Sequence, residues 1–333
     1  MVRVPFERLQ REFARVLLKH GFSPDRAELC ARLFAEASRD GVHSHGLNRF
    51  PRFIQWIEKG LINVNATPSR KAGTEVLESW DGNLGPGNLN ALFCMGRAID
   101  IAQERGIGCL ALSNTNHWMR GGSYGWQAAE AGCIGICWTN TIPNLPPWGA
   151  KEAKLGNNPL VVAVPRPEGH VVLDMAMSQF SYGKLQSFRA RGEQLPIASG
   201  YDAAGRLTHD PGAIEDSGRP LPIGYWKGSG LALILDLTAS ILSGGWSTHR
   251  LGQLEDEHGV CQVFIAIDPE KVSDRSFMRS AVEEIISDLH AATPDEKENR
   301  VYYPGERTLA TRADSMQNGV NVDEAAWQAV LVL

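Results

Sequence analysis

Three things are missing from this sequence. No Cys-x-x-Cys pair occurs among its six cysteines, at 30, 94, 109, 133, 137 and 261. They sit in apolar runs such as "GCIGICW", where a reduced thiol behaves as a small hydrophobe. Neither a disulfide framework nor a thiolate metal site is expected. No basic block or stripe occurs, and the net charge is −5. Nucleic acid and anionic membranes are therefore not expected partners. No long apolar run occurs either. The longest, "LALILDLTASIL" at 231–242, is too short to span a bilayer and carries Asp236. The opening residues, "MVRVPFERLQREF", lack the apolar stretch of an export signal, so a cytoplasmic protein is expected.

What is there suits an enzyme-sized globular chain. At 333 residues and 43% apolar content, it can bury one large or two ordinary cores. The first 60 residues read as helices. Phe6, Leu9, Phe13, Val16 and Leu17 share one face, and Gly21 can close that helix. Ser23-Pro24 starts a second helix, which Asp40-Gly41 ends. Phe50, Phe53, Ile54 and Ile57 are spaced for a third, with Gly60 after it. Beyond residue 75 the texture changes. "IGCLALSN", "CIGICWTN" and "GVCQVFIAID" read as buried strands. "NLNALFCMGRAIDIAQERG", "GSYGWQAAEAG" and residues 274–292 read as helices, and "KGSGLALILDLTASILSGG" as a buried helix. "PLVVAVPRPEGHVVLDMAM" reads as two strands about a turn at Pro167-Glu168-Gly169, so part of the sheet is antiparallel. Residues 292–300 read as a charged loop. The fold class expected is α/β, a mixed sheet with packed helices and a helical N-terminal region.

Five stretches carry chemistry. "GIGCLA" at 106–111 fits the G-x-G-x-x-A dinucleotide fingerprint. That fingerprint needs strand, glycine turn, then helix, so that the pyrophosphate meets a helix N-terminus. Here a helix precedes and a strand follows, so a helix cap is the better reading. "DGVHSHGLNRF" at 40–50 holds His43, Ser44, His45 and Arg49. It reads as a polar loop, a His-x-His metal pair or a proton-transfer site. An imidazolium beside a carbonyl is a natural acid, and Arg49 can clamp a carboxylate. "NHWMRGGSYGW" at 116–126 puts His117 at a strand end, where α/β proteins bind ligands. The Pro- and Asn-rich stretch 139–159, with Pro146, Pro147 and Trp148, reads as a binding loop. "GYWKGSG" at 224–230 leads Lys227 into a helix whose first N–H groups are candidates to hold a phosphate.

Together, Ser44-His45-Gly46, Asn116-His117, "GCIGICWTN", "PPWGAKE" and Lys227-Gly228-x-Gly230 resemble the malate/L-lactate dehydrogenase family over essentially the whole chain. The resemblance implies a non-Rossmann nicotinamide-binding fold and NADH, or NADPH, as cofactor. It implies His45 as proton donor, with His117 a second acid/base candidate and Ser44 and Arg49 on the substrate. The cofactor would lie along His170, Val171, Val172, Leu173, Asp174, Met175 and Ala176, on Trp226 and Lys227, and on Gly305, Glu306 and Arg307. It also implies a homodimer with the site near the subunit interface and no metal. The Trp118-Met119-Arg120 segment points to a 2-oxo sugar acid, since malate-type relatives carry smaller apolar residues there. On this basis residues 1–75, packed with 300–333, form a helical region, and 76–299 the nicotinamide-binding and catalytic domain. Three residues depart from the family pattern: Asn157, Ala150 and Arg307. A metal hydrolase on His43 and His45, and a non-catalytic ligand-binding protein, are the rival readings.

Overall fold

The computed structural model describes residues 2–296 and 298–333. The charged loop expected at 292–300 includes residue 297, which lies outside the described residues. Eleven strands and twelve α-helices follow one another along the described residues. They are β1 (Val2–Val4), α1 (Phe6–Lys19), α2 (Pro24–Arg39), α3 (Phe50–Glu58), β2 (Ser69–Gly73) and β3 (Leu77–Asp81). Next come α4 (Gly87–Arg105), β4 (Ile107–Thr115), α5 (Gly122–Glu130), β5 (Ile134–Thr139), β6 (Leu160–Val164) and β7 (Val171–Met175). Then follow α6 (Tyr182–Ala190), β8 (Gly200–Tyr201), β9 (Leu207–Thr208), α7 (Pro211–Ser217), α8 (Trp226–Ser243) and α9 (Thr248–Leu251). The last are β10 (Val260–Ile267), α10 (Arg275–Ala291), α11 (Glu306–Asn318), β11 (Val320–Val322) and α12 (Glu324–Val332).

The N-terminal helices form where the apolar spacing puts them. Leu9, Phe13, Val16 and Leu17 are fully buried along α1. Ser23 and Pro24 open α2 as N-cap and first residue, although the Ser23 hydroxyl caps nothing. A phenylalanine cluster holds the layer together: the Phe13 and Phe50 ring centroids are 4.3 Å apart, and Phe34 lies 5.1 Å from both Phe50 and Phe53. Each such ring contributes about 1.5–3 kcal/mol by burial. The C-terminal segment joins this layer, since β1 pairs antiparallel with β11 and Trp327 and Val330 enter the same core.

The large sheet has the order β2-β3-β4-β10-β5-β6-β7. Only the β3–β4 pair is parallel. This is the mixed α/β architecture expected, and not the doubly wound order of a Rossmann sheet. Both faces are covered in the middle. Leu110 and Leu112 of β4 face α4 and α5, while Ala111 faces α8. That two-sided burial is why β4, β5 and β10 read as continuous apolar runs. The 106–111 glycines sit at a helix end, as the residue order demanded: Gly106 caps α4 in the left-handed region and β4 follows. Strand β2 already belongs to this sheet, so the sheet begins at Ser69.

One expectation needs correction. The segment 226–243 is a helix, but it is buried on one side only. Ala232, Leu235 and Ala239 pack on the sheet, while Leu233, Ile234, Leu237 and Ile241 face outward, Ile241 being 74% exposed. Apolar residues on every side of a helix suggest burial on every side, but composition alone does not say which face is covered. None of the described helices is long and apolar enough to cross a membrane.

Candidate active site

The turn that carries His45 is pinned from beneath. Residues His43–His45 and Leu47–Arg49 form two short 3₁₀ turns between α2 and α3. Leu47 and Phe50 are fully buried in the phenylalanine core. Gly46 between the turns lies against α2, where a Cβ would run into the Ser38 hydroxyl. That hydroxyl in turn accepts the Leu47 N–H at 2.8 Å. With its apolar residues locked into the core, the turn is left to present Ser44, His45 and Arg49. Ser44 Oγ is 2.9 Å from His45 Nδ1, and Arg49 Nε reaches back to the Ser44 carbonyl at 3.4 Å. No carboxylate of the described residues lies within ion-pair distance of Arg49.

His117 comes to the same place from the other side of the sequence. Its ring stacks on His45, centroids 5.7 Å apart and planes 23° apart. Trp56 of α3 lies beyond it at 6.4 Å. The base of the His117 turn is tied down by Asn116, whose Nδ2 donates to the carbonyls of Leu61, Leu84 and Gly85. Met119 adopts φ +65, an uncommon conformation for a side-chain-bearing residue, and this turns its N–H onto His117 Nδ1 at 3.0 Å. An N–H donor at Nδ1 fixes the tautomer: Nδ1 must accept, so the proton sits on Nε2. Gly87, the first residue of α4, packs on the Asn116 and His117 carbonyls, where a Cβ would be well inside contact distance of both. Gly87→Ala is therefore expected to displace the His117 turn. Activity should fall about tenfold or more, and the melting temperature should drop by several degrees, read by calorimetry and assay on one preparation.

Both rings are held neutral. Burial first, then the charges of Arg49 and Arg120, bring His45 down to about 4. Burial, then Arg49 and His45, hold His117 well below its ordinary range. Burial also works against the Arg49 charge, which Glu257 opposes. Glu257 accepts the Ile142 N–H at 3.0 Å, which fixes it under the long loop 139–159.

Asp40 reads as a helix end in the sequence, and it does end α2. Its carboxylate does more. It accepts from Arg39 at 2.8 Å, from Arg120 at 2.6 Å, and from Nε and Nη2 of Arg312 at 2.9 and 2.7 Å. Burial alone would push this carboxyl up, but the bonds from Arg312 and Arg39 and the charge of Arg120 outweigh it and hold it well below the usual carboxylate range. Sequence reading gave Asp40 only as a helix end and did not find its ion pairs or Arg312. The one available signal was Arg120, a charged residue in an otherwise apolar "WMRGG" turn.

The three segments expected to hold a nucleotide are β7, the edge strand of the sheet, and two stretches whose neighbouring chain bonds to it or just beyond it. At its start, Val172 N–H donates to Pro304 O at 2.8 Å, setting Gly305 against His170 and Val172. In the middle, Asp174 accepts the Gly122 N–H at 2.8 Å. At its end, Ile223 N–H donates to Met177 O at 2.9 Å, bringing Trp226 and Lys227 alongside. Beside Gly305 lies a cleft of about 660 Å³, lined by Arg166, Arg300, Tyr302, Tyr303, Glu306 and Arg307 among others. Arg307 lies over the Tyr302 ring at 4.2 Å, and Glu306 bonds His290, Arg300 and the Tyr303 N–H. The helix start at 226 differs from expectation in one respect. The N–H groups of Lys227, Gly228 and Ser229 are already given to Gly224, Ile223 and Tyr225, which leaves the Trp226 N–H and the exposed Lys227 side chain as candidate donors there. The six cysteines are unpaired, and no cluster of His, Cys, Asp and Glu with metal-binding geometry occurs among the described residues.

Strand order and a stacked histidine pair beside an arginine with no carboxylate partner describe an α/β protein with acid–base capacity outside the Rossmann class. Comparison with known proteins narrows this. A sequence profile for malate/L-lactate dehydrogenase matches residues 4–331, and the chain belongs to that family. The curated 2,3-diketo-L-gulonate reductase of Escherichia coli is 46% identical over 333 residues, covering all of both chains. Among solved structures, malate dehydrogenase from Entamoeba histolytica superposes with a TM-score of 0.94 at 25% identity, covering 99% of this chain and 96% of that one. Sulfolactate dehydrogenase from Methanocaldococcus jannaschii gives 0.90 at 28% identity, covering 99% and 95%. The protein is an oxidoreductase acting on CH–OH groups, and its family implies a nicotinamide nucleotide cofactor.

Proposed function

We propose that this enzyme reduces the C2 carbonyl of 2,3-diketo-L-gulonate to give 3-dehydro-L-gulonate, reversibly, with NADH. The observation that carries the 2-oxo acid reading is Arg49, a partly buried cation without a carboxylate partner in the same turn as His45. The sugar-acid choice is supported by the 46% identity to the Escherichia coli reductase and by the Trp118-Met119-Arg120 segment. The nicotinamide, when bound, supplies the hydride. The chain does the rest. Arg49 takes the substrate carboxylate and thereby places C2 beside the histidine pair, an orientation effect. Burial is the main cause of the low His45 value and the Arg49 charge the next; the arriving carboxylate offsets the latter, so binding favours a proton on His45. His45 then gives that proton to the developing alkoxide, and Ser44 holds its Nδ1. His117, locked with its proton on Nε2, donates a hydrogen bond without changing charge.

The chain also fits the cofactor. The 660 Å³ cleft with Arg307 flat on Tyr302 suits the adenosine end. Gly305, Val172 and Asp174 along the β7 edge suit the middle, and Lys227 a phosphate. Arg120 Nε is buried without a partner among the described residues, an orphan donor that a bound acceptor would satisfy. Arg300 and Arg307 leave NADPH open as well. The domain division at residue 75 and work in the cytoplasm, which the six unpaired thiols suit, belong to the same reading. So does a homodimer. The outward stripe of Leu233, Ile234, Leu237 and Ile241 on α8 is an exposed apolar face that a second copy would cover, and a sedimentation mass of one chain would remove it from the proposal.

The direct test follows NADH oxidation at 340 nm with 2,3-diketogulonate beside oxaloacetate and pyruvate. Turnover selective for diketogulonate is expected. Turnover with the simple acids alone would keep the chemistry and discard the substrate.

A further inference from the structure

Asp40 opens the 40–50 stretch and Arg120 lies within 116–126, and the ion pair between them joins the two. Asp40 is 4% exposed and Arg120 6%. Arg120 follows Met119, whose N–H binds His117, and precedes by two residues Gly122, whose N–H binds Asp174. Asp40 is five residues before His45. Arg312, the third partner, belongs to α11, whose first turn holds Glu306 and Arg307. Arg312 also lies over the Trp126 ring at 4.5 Å, and Trp126 in turn stands 5.7 Å from His170. Burying one carboxylate among three guanidinium groups is costly in itself, so the arrangement calls for a purpose beyond stability.

We infer that Asp40 and Arg120 are positioning residues: a single buried ion pair, braced by Arg312, sets the field in which His45 gains and loses its proton. It also ties that field to the nucleotide-side helix α11. The inference rests on the reading of His45 as the acid. Other groups face His45 too. Ser44 and Arg49 share its turn, with His43 beside it. His117 and Arg120 come from the turn after β4. Glu257, near Arg49 and Arg52, acts from the segment before β10. Gly183 of α6 packs on Ser44, with Tyr182 and Lys184 its neighbours. Of these, Arg120 is the one whose charge is fixed by a buried counter-ion, so the pair works as a set point. Removing the Arg120 charge relieves repulsion of an imidazolium, and removing the Asp40 charge deepens it. The two neutral variants must therefore move His45 in opposite directions.

The test uses the full-length protein and two readings. The first is the His45 titration midpoint by NMR of the ring Cε1–H, assigned by the signal lost in His45→Gln. The second is the alkaline limb of the kcat profile for reduction, where the protonated histidine is lost. Arg120→Met is expected to raise both by about one pH unit, and Arg120→Lys to leave both near wild type. Asp40→Asn is expected to lower the alkaline limb. If Asp40→Asn does not fold, Arg120→Met still decides, because Asp40 keeps Arg39 and Arg312. A merely structural pair would lower activity in both variants without opposite displacements, and that result overturns the inference. An unmoved NMR midpoint in Arg120→Met overturns it too. Opposite displacements together with full turnover in His45→Ala would instead leave the field intact and remove His45 as the acid.

Discussion

Replacing His45 by alanine is expected to lower kcat by about 10²–10⁴-fold while leaving the dissociation constant for NADH within about threefold of wild type. The size follows from loss of the proton donor at the developing alkoxide. The unchanged nucleotide binding is expected because the segments proposed to hold the nucleotide, 170–176, 226–227 and 305–307, belong to other elements than the His45 turn. His117 gives the contrast. Its Nδ1 accepts the Met119 N–H, so a second ring proton would break that bond. His117→Gln can keep both functions, accepting at the amide oxygen and donating at the amide nitrogen. It should retain far more activity than His117→Ala. Stopped-flow turnover and fluorescence titration of NADH check both variants. Near-wild-type kcat in His45→Ala, with activity abolished in His117→Gln, would transfer the acid role to His117.

The second large effect belongs to Arg49. Arg49→Ala should raise KM for the 2-oxo acid by about 10²–10³-fold, the usual consequence of removing one partner of a desolvated charge pair. A further signature separates a clamp from a structural cation. Burial first, then the charges of Arg49 and Arg120, hold His45 down to about 4, and substrate carboxylate on Arg49 offsets one of these causes, so the His45 midpoint is expected to rise on binding. Between that value and the ordinary histidine range, an unreactive 2-hydroxy acid should bind with net proton uptake. Calorimetry in buffers of different ionisation heat measures it directly, and the uptake should vanish in Arg49→Ala. An unchanged KM with unchanged proton uptake would mean that the carboxylate docks elsewhere.

How much of this was legible in the sequence differs by element, for physical reasons. The spacing of Phe6, Leu9, Phe13, Val16 and Leu17 is local information, and α1 formed where it pointed. The β6–β7 hairpin about Gly169 was equally local. Strand order was not. β10 sits between β4 and β5, joined to them only by contacts over more than a hundred residues, and nothing in "GVCQVFIAID" names its neighbours. The short strands β1 and β11 were also silent, since three residues carry no period. Helix α8 shows the opposite failure. Its composition was read correctly, but composition does not say which of its faces is covered. At the site, His45, Arg49 and His117 announced themselves by residue type and are found together. Asp40 did not, because a helix-ending aspartate is so common that its three arginines are visible only in three dimensions.

The strand pair β1–β11 and the Asp40–Arg312 bridge have a temporal side. The catalytic turn is among the first parts of the chain to be synthesised. Its supporting carboxylate waits 272 residues for Arg312, and the N-terminal layer is completed only when Val320–Val322 arrives beside Val2–Val4. At ordinary elongation rates of about 5–20 residues per second, the nascent N-terminal layer stays incomplete for tens of seconds. A chain interrupted before α11 has neither Arg312 for Asp40 nor β11 for β1, so its N-terminal layer lacks two of the contacts that complete it.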